Sequence, residues 1–200
     1  MGGRERSDLQ PHRPGGLLST SGVEASRLAD LIADVPDFPR PGVVFKDITP
    51  LLGSADGFAA AVRGLVEAAP SGVDAVLGLE ARGFLFGAPV ALALGVGFVP
   101  ARKPAKLPRA RVEVGYELEY GTETLAVHAD AFGPGDRVLV VDDVLATGGT
   151  VAASVELVRR LGAEVAGVLV VLELGFLDGR SRLTAAGVDD VHALLTVAAE

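Results

Sequence analysis

Thirteen consecutive residues, Val138 to Thr150, constrain this chain more than any others: Val-Leu-Val-Val-Asp-Asp-Val-Leu-Ala-Thr-Gly-Gly-Thr. The opening β-branched and aliphatic run has the composition of a strand buried on both faces. Two adjacent aspartates interrupt it, and a turn of small residues, Ala146 to Thr150, follows. Beyond the turn, Val151, Ser154, Val155, Leu157, Val158 and Leu161 recur at helical spacing. Arg159 and Arg160 fall in the last turn, and Gly162 is the expected stop.

A strand, a glycine turn and a helix N-terminus together make an anion site. Thr147, Gly148, Gly149 and Thr150 can aim backbone N–H groups at a phosphate without obstruction from Cβ, and the helix dipole and two hydroxyls add to the attraction. An ordinary βα connection is the competing reading, and the aspartates argue against it. Neighbouring side chains on a strand point to opposite faces, so Asp142 and Asp143 are expected where the strand ends, from where both reach one ligand. There they suit ribose hydroxyls or a ligand-borne Mg²⁺. A Walker loop is excluded, because Gly149 runs into Thr150 with no lysine. A dinucleotide fingerprint is excluded too, because the acids precede the turn.

Composition removes further classes. At 200 residues the chain suits one domain with a sizeable core, and its net charge of −8 argues against a general nucleic-acid or anionic-membrane binder. It has no cysteine, hence no disulfide or thiolate site, and its three histidines are scattered. The apolar stretch Ala88 to Ala101 is broken by Pro89, Gly95, Gly97 and Pro100 and is too short to span a bilayer. No signal peptide is visible, so a cytoplasmic protein without a membrane partner is expected.

The chain is expected to begin with a disordered tail over 1–22, polar and aperiodic, followed by a single domain over 23–200. Leu28, Leu31 and Ile32 give a short helix an apolar face. The prolines between Asp34 and Pro50 forbid one continuous element. Within that segment, Val43 to Ile48 reads on its residues alone as a loop that packs its aromatic, Phe45, into the core. Ser54 is a plausible cap for a helix with Phe58, Val62, Leu65 and Val66 inward.

Val73 to Leu79 is a buried strand that ends in Glu80-Ala81-Arg82-Gly83. Ligands of open α/β sheets gather at carboxyl strand ends, so this loop and the Asp142 loop are placed to share a site. The Arg82 fork suits pyrophosphate, with an ion pair to Glu80 or a neighbouring acid as the alternative. After a short strand, Gly97 to Ala101, come five cations: Arg102, Lys103, Lys106, Arg109 and Arg111. They read as a solvated face or as a closing loop over a polyanion. Val112 to Ala129 alternates across Gly121-Thr122 as a hairpin does, with His128 near its end in a packing or hydrogen-bonding role. Strands over Val165–Leu172 and Val188–Val197 and a helix over Asp178–Ala186 complete a mostly parallel sheet with helices on both faces.

Val138 to Thr150 resembles the phosphoribosyl-pyrophosphate (PRPP) motif of type I phosphoribosyltransferases. Val44-Phe45-Lys46-Asp47, Glu80 to Gly87, Arg102 to Pro108 and Leu118-Glu119-Tyr120-Gly121 further resemble the adenine phosphoribosyltransferases, in that family's order. The resemblance implies the type I phosphoribosyltransferase fold, with a small N-terminal hood and a β-hairpin flexible loop. It implies attack of adenine N9 on C1 of PRPP, giving AMP and pyrophosphate, by a homodimer, with Mg²⁺ carried in by PRPP rather than held directly by the protein. Asp142 and Asp143 would hold the ribose hydroxyls and lie nearest the metal, and Ala146, Thr147, Gly148, Gly149 and Thr150 the 5′-phosphate. Glu80 and Ala81, across a cis peptide, would join Arg82, Lys103 and Lys106 at pyrophosphate. Adenine would stack on Phe45 and be read by backbone groups of Val44 and Lys46. Glu119 would handle its proton, with Tyr120 and Tyr116 on the same segment. The chain departs at Lys46, where the family often carries arginine, so no bidentate contact is expected there. Two rivals remain at this level: the same chemistry on another base, and a PRPP-binding regulator that contacts nucleic acid.

Overall fold

The computed structural model describes residues 22–117 and 122–198. Of the expected tail only Gly22 is included, and it opens α1 (Gly22–Ala29), which buries Leu28. The proline-rich segment that follows contains two short strands, β1 (Ala33–Pro36) and β2 (Val44–Asp47), paired antiparallel. This corrects the expectation of a loop with Phe45 in the core. Phe45 is only half-buried and meets the Phe38 ring edge-on, with centroids 5.2 Å apart. Ile48, three residues on, is the side chain that goes fully inside. Phe45 lies within the half-exposed β2, whereas Ile48 follows that strand as the N-cap residue of α2 and is carried into the core there.

Two helices follow, α2 (Thr49–Gly53) and α3 (Ala55–Ala68). Ser54 caps α3 as expected, its hydroxyl accepting from the Gly57 N–H at 3.1 Å. Then strand and helix alternate: β3 (Ala75–Leu79), α4 (Gly83–Leu94), β4 (Gly97–Ala101), a short 3₁₀ turn at Pro104–Lys106, and the hairpin β5 (Arg111–Glu117) and β6 (Thr122–His128). The chain continues through β7 (Arg137–Leu145), α5 (Gly149–Arg160), β8 (Glu164–Leu174), a 3₁₀ turn at Gly175–Leu177, α6 (Gly179–Ala185) and β9 (Val191–Val197).

The central sheet runs β4-β3-β7-β8-β9, all neighbours parallel. Burial on both faces accounts for the unbroken aliphatic runs of its middle strands. Val138 and Val140 of β7, with Val168 and Val170 of β8, pack toward α5 and the hairpin. Leu139, Val141, Leu169 and Val171 pack toward α3 and α4. Phe86 of α4 is fully buried in that second layer, edge-on to Phe58 at 5.6 Å. Phe86→Ala is expected to cost about 3–5 kcal/mol in urea-denaturation free energy; a loss under 1 kcal/mol would show that this layer collapses around the gap. No helix among the described residues is long and apolar enough to cross a membrane.

Parallel alignment puts every carboxyl strand end on one edge. Glu80 to Gly83 follow β3, Arg102 and Lys103 follow β4, the Ala146 turn follows β7, and Gly175 to Arg180 follow β8.

Candidate active site

At that edge β7 does not stop at the aspartates. It continues through Val144 and Leu145, because β8 supplies partners as far as Glu173, opposite Leu145. Asp142 and Asp143 therefore lie within the strand, which corrects the expectation that both sit at its end. The edge of the sheet still brings them to one locality. Asp142 Oδ1 folds back to accept from the Asp143 N–H at 2.9 Å. Asp143 is buried, and its Oδ2 lies 2.7 Å from Arg82 Nε. Arg82 thus pairs with a neighbouring acid and not with Glu80. Gly83, which opens α4, makes room for this arrangement, since a Cβ there would stand 2.7 Å from Asp142 Oδ1.

Burial pushes the Asp142 carboxyl well above the usual carboxylate range, and the charge of Asp143 pushes the same way. Burial raises Asp143 too, against the pull of Arg82. Two crowded carboxylates, one of them paired with the Arg82 guanidinium, can accept from hydroxyl donors or attract a cation that a ligand brings with it.

Arg82 has a second neighbour. Its guanidinium carbon sits 5.4 Å from the Phe45 ring centroid, in the range of a cation–π contact. One side chain therefore joins the β1–β2 hood to the aspartates. Val44 is exposed and Lys46 half-buried on the same short strand, and Lys46 Nζ donates to Asp34 Oδ1 at 2.6 Å. Lysine here makes a single-point pair, as its shape dictates.

The Glu80–Ala81 peptide is cis, as the resemblance implies. The Glu80 side chain accepts from Arg102 Nε and Nη2, both at 3.2 Å, and from the Lys103 N–H at 3.0 Å. Burial acts upward on this carboxyl, but these donors outweigh it and hold the group below its ordinary value. Lys103 Nζ pairs with Glu123 of β6 at 2.9 Å, and that hydrogen bond raises the Lys103 pKa. Arg109 pairs with Asp130, and Arg111 with Glu113. The basic run is thus largely paired, while Lys103, Lys106, Arg109 and Arg111 remain exposed, as a solvated face would be. Lys106 forms no ion pair among the described residues, and its charge still reaches Glu80.

The turn after β7 has the expected form. Gly148 caps α5 with φ 76°, a left-handed conformation that favours glycine. No side chain caps α5, and its first turn carries no acid, unlike the first turn of α3 with Ser54 and Asp56. The leading N–H groups of α5 are left for an anion. Thr150 Oγ1 lies 3.4 Å from the Tyr116 hydroxyl, which brings the hairpin to the turn. Two clefts flank this loop. One, of about 510 Å³, lies between the hairpin and α5 and is lined by Tyr116, Glu123, Gly149, Glu156 and Arg182. The other, of about 440 Å³, is lined by Glu173, Asp178, Arg180 and Ser181. Neither is lined by Asp142 or Asp143.

Glu119 and Tyr120 lie outside the described residues, between the facing ends of β5 and β6. His128 is half-buried, with Nε2 out of water and without a hydrogen-bond partner among the described residues. Gly179 was missed in the sequence. A Cβ on it would overlap the Ala146 carbonyl oxygen, and one on Gly148 would stand 2.8 Å from the Gly179 carbonyl oxygen. Its position directly after Asp178, at the start of an expected helix, was the available signal.

Residues 46–187 match the family model described as the phosphoribosyl transferase domain. An adenine phosphoribosyltransferase of Cutibacterium acnes is 59% identical over 170 residues, which is 85% of this chain and 96% of that protein. The solved adenine phosphoribosyltransferase of Thermoanaerobacter pseudethanolicus superposes with a TM-score of 0.82 at 47% identity, covering 86% of this chain and 99% of that one. That of Saccharomyces cerevisiae, solved with an imino-altritol bisphosphate and adenine, gives 0.81 at 40% identity over 88% of this chain and all of its own. With this fold, this phosphate turn and relatives matched over nearly their whole length, the chain belongs to the phosphoribosyltransferase family, and within it to the adenine phosphoribosyltransferases.

Proposed function

We infer that the chain transfers the 5-phosphoribosyl group of PRPP to adenine, giving AMP and pyrophosphate. The observation that carries this is the edge of the sheet, where Arg82 touches both Phe45 and Asp143 and where the strand that bears Asp143 leads into the uncapped N-terminus of α5. A purine surface, a ribose surface and an anion site are thereby contiguous.

The reaction breaks the bond from C1 to pyrophosphate and forms one from C1 to adenine N9. Positive charge grows on the ribose and negative charge on the leaving pyrophosphate. Backbone N–H groups of Thr147 to Thr150 hold the 5′-phosphate, and Asp142 and Asp143 hold the ribose hydroxyls. Arg82, Lys103 and Lys106, with the backbone around Glu80 and Ala81, face pyrophosphate and stabilise its developing charge, often the largest catalytic contribution. Asp142 and Asp143 would lie nearest a Mg²⁺ carried in by PRPP, which would supply further neutralisation of pyrophosphate. Phe45 stacks the base, backbone groups of Val44 and Lys46 read its edge, and the Glu119 carboxylate takes the N9 proton. Tyr120 is on the same segment of the sequence, and Tyr116 reaches Thr150 from the hairpin. The working form is a homodimer in the cytoplasm.

The test is product formation from PRPP and Mg²⁺ with adenine, hypoxanthine, guanine or uracil, in wild type and Glu119→Ala. Turnover with adenine alone, falling about 10²–10⁴-fold in the variant, is expected. Turnover confined to another base would replace the substrate. PRPP binding without turnover on any base would point to a regulator. Normal adenine turnover in Glu119→Ala would move the proton to another acceptor.

A further inference from the structure

We propose that Glu173 and Arg180 form a positioning pair that fixes the phosphate loop from below; this rests on the reading that Ala146 to Thr150 hold the 5′-phosphate. Glu173 stands near the end of β8, in register with Leu145, the last strand residue before that loop, and with Thr196 on the other side. Its side chain is buried. A buried carboxylate is costly unless paired, and Arg180 pairs it with a full fork. Nε donates to Oε1 at 3.0 Å, Nη2 donates to Oε2 at 2.6 Å, and the remaining Nη1 donates to the Val191 carbonyl oxygen at 2.7 Å. One side chain therefore ties α6 to two neighbouring strands.

What this places is the residue before it. The Cα of Gly179 lies so close to the turn that a Cβ would overlap the Ala146 carbonyl oxygen and stand 3.1 Å from the Gly148 nitrogen. The turn leading in is held as well: Asp178 has φ 55°, and its Oδ1 accepts from the Ser181 hydroxyl at 2.5 Å. Buried ion pairs are a weak source of net stability compared with apolar residues of the same shape. Here the pair supplies a fixed height for Gly179, and Gly179 sets how far the Ala146–Gly148 backbone can sink away from its ligand. Arg180 reaches the substrate only through that backbone.

Equilibrium binding of AMP and, separately, of pyrophosphate to wild type, Arg180→Lys and Gly179→Ala tests this, with thermal melting as the check on folding. AMP carries the 5′-phosphate alone, whereas pyrophosphate samples the Arg82 side. Lysine keeps the charge and loses the fork, so Arg180→Lys should weaken AMP about tenfold, with pyrophosphate unchanged. In turnover, KM for PRPP should rise while kcat stays within about twofold. Gly179→Ala, which pushes on the turn directly, should weaken AMP at least as much. Loss of AMP affinity in Gly179→Ala but not in Arg180→Lys would overturn the positioning role and leave the loop assignment standing. Native AMP affinity in Gly179→Ala would overturn the loop assignment itself. Should Arg180→Lys fold poorly, the double variant Glu173→Met with Arg180→Met removes both charges together. Weakened AMP binding in that folded variant supports the pair's role, and native binding overturns it.

Discussion

Gly148→Ala is expected to lower kcat/KM for PRPP about 100-fold, the scale on which a displacement of roughly 1 Å acts in an active site. Two physical effects combine. The residue sits at φ 76°, where an L side chain is strained by roughly 1–2 kcal/mol. The new methyl would also stand 2.8 Å from the Gly179 carbonyl oxygen, which belongs to backbone and cannot rotate away. The cheapest relief is for the turn to rise toward its ligand, which misdirects the first N–H groups of α5. Global stability should suffer far less, with Tm falling about 2–4 °C for each kcal/mol of strain. Initial rates against PRPP, beside a melting curve, check this. Near-normal kcat/KM would mean that the turn is not confined between α5 and α6.

Asp142→Asn should separate stability from activity. Asparagine keeps an oxygen to accept from the Asp143 N–H and removes the charge that burial and Asp143 oppose. The sign follows from the raised pKa. Below the unfolded carboxylate value the folded wild type bears no penalty. As pH rises through the window up to the higher folded value, ionisation costs the folded state stability. The variant escapes that cost, so its Tm should match or fall below wild type in acid and exceed it near pH 8. The gain should be about 2–4 °C for each kcal/mol of repulsion relieved. On the proposed role of Asp142 at the ribose hydroxyls, activity should fall about 100-fold, because its carboxylate would stabilise the positive charge growing on the ring. Melting curves and PRPP kinetics across pH decide the matter. A variant no more stable at pH 8 would show that Arg82 already offsets the buried charge.

Periodic apolar residues made much of this fold legible. The unbroken run before Asp142 announced a strand covered on both faces, the spacing after Thr150 announced α5, and Gly162 does end it, with φ 81°. The alternation across Gly121-Thr122 announced the hairpin. Contacts across the sheet were not legible. Where β7 stops depends on how far β8 accompanies it, and no pattern within Val138 to Thr150 encodes that length. Phe45 looked like a core residue because aromatic side chains usually are; it lies instead on a short strand that is nowhere fully buried, against the Phe38 ring. Arg82 was legible as an anion binder, but its choice of Asp143 over Glu80 depends on Arg102 having already taken Glu80, from a strand about twenty residues later. Glu173 and Gly179 were hard to read because each meets residues about thirty positions earlier, and Arg180 because its fork joins Glu173 to the Val191 carbonyl of a later strand.

The strand order has a consequence for how the chain is made. β7 lies at the centre of the sheet, yet β8 and β9, which lie on one side of it, are synthesised after it. A ribosome-bound chain that has released Thr150 already contains every residue of the turn proposed to hold the 5′-phosphate. It lacks the strand that extends β7 to Leu145, the glycine on which the turn rests and the carbonyl of Val191 that anchors Arg180. Substrate can therefore rescue a nascent molecule only after nearly the whole domain has emerged. Until β8 is made, the edge of β7 that it covers has no strand partner in the sheet.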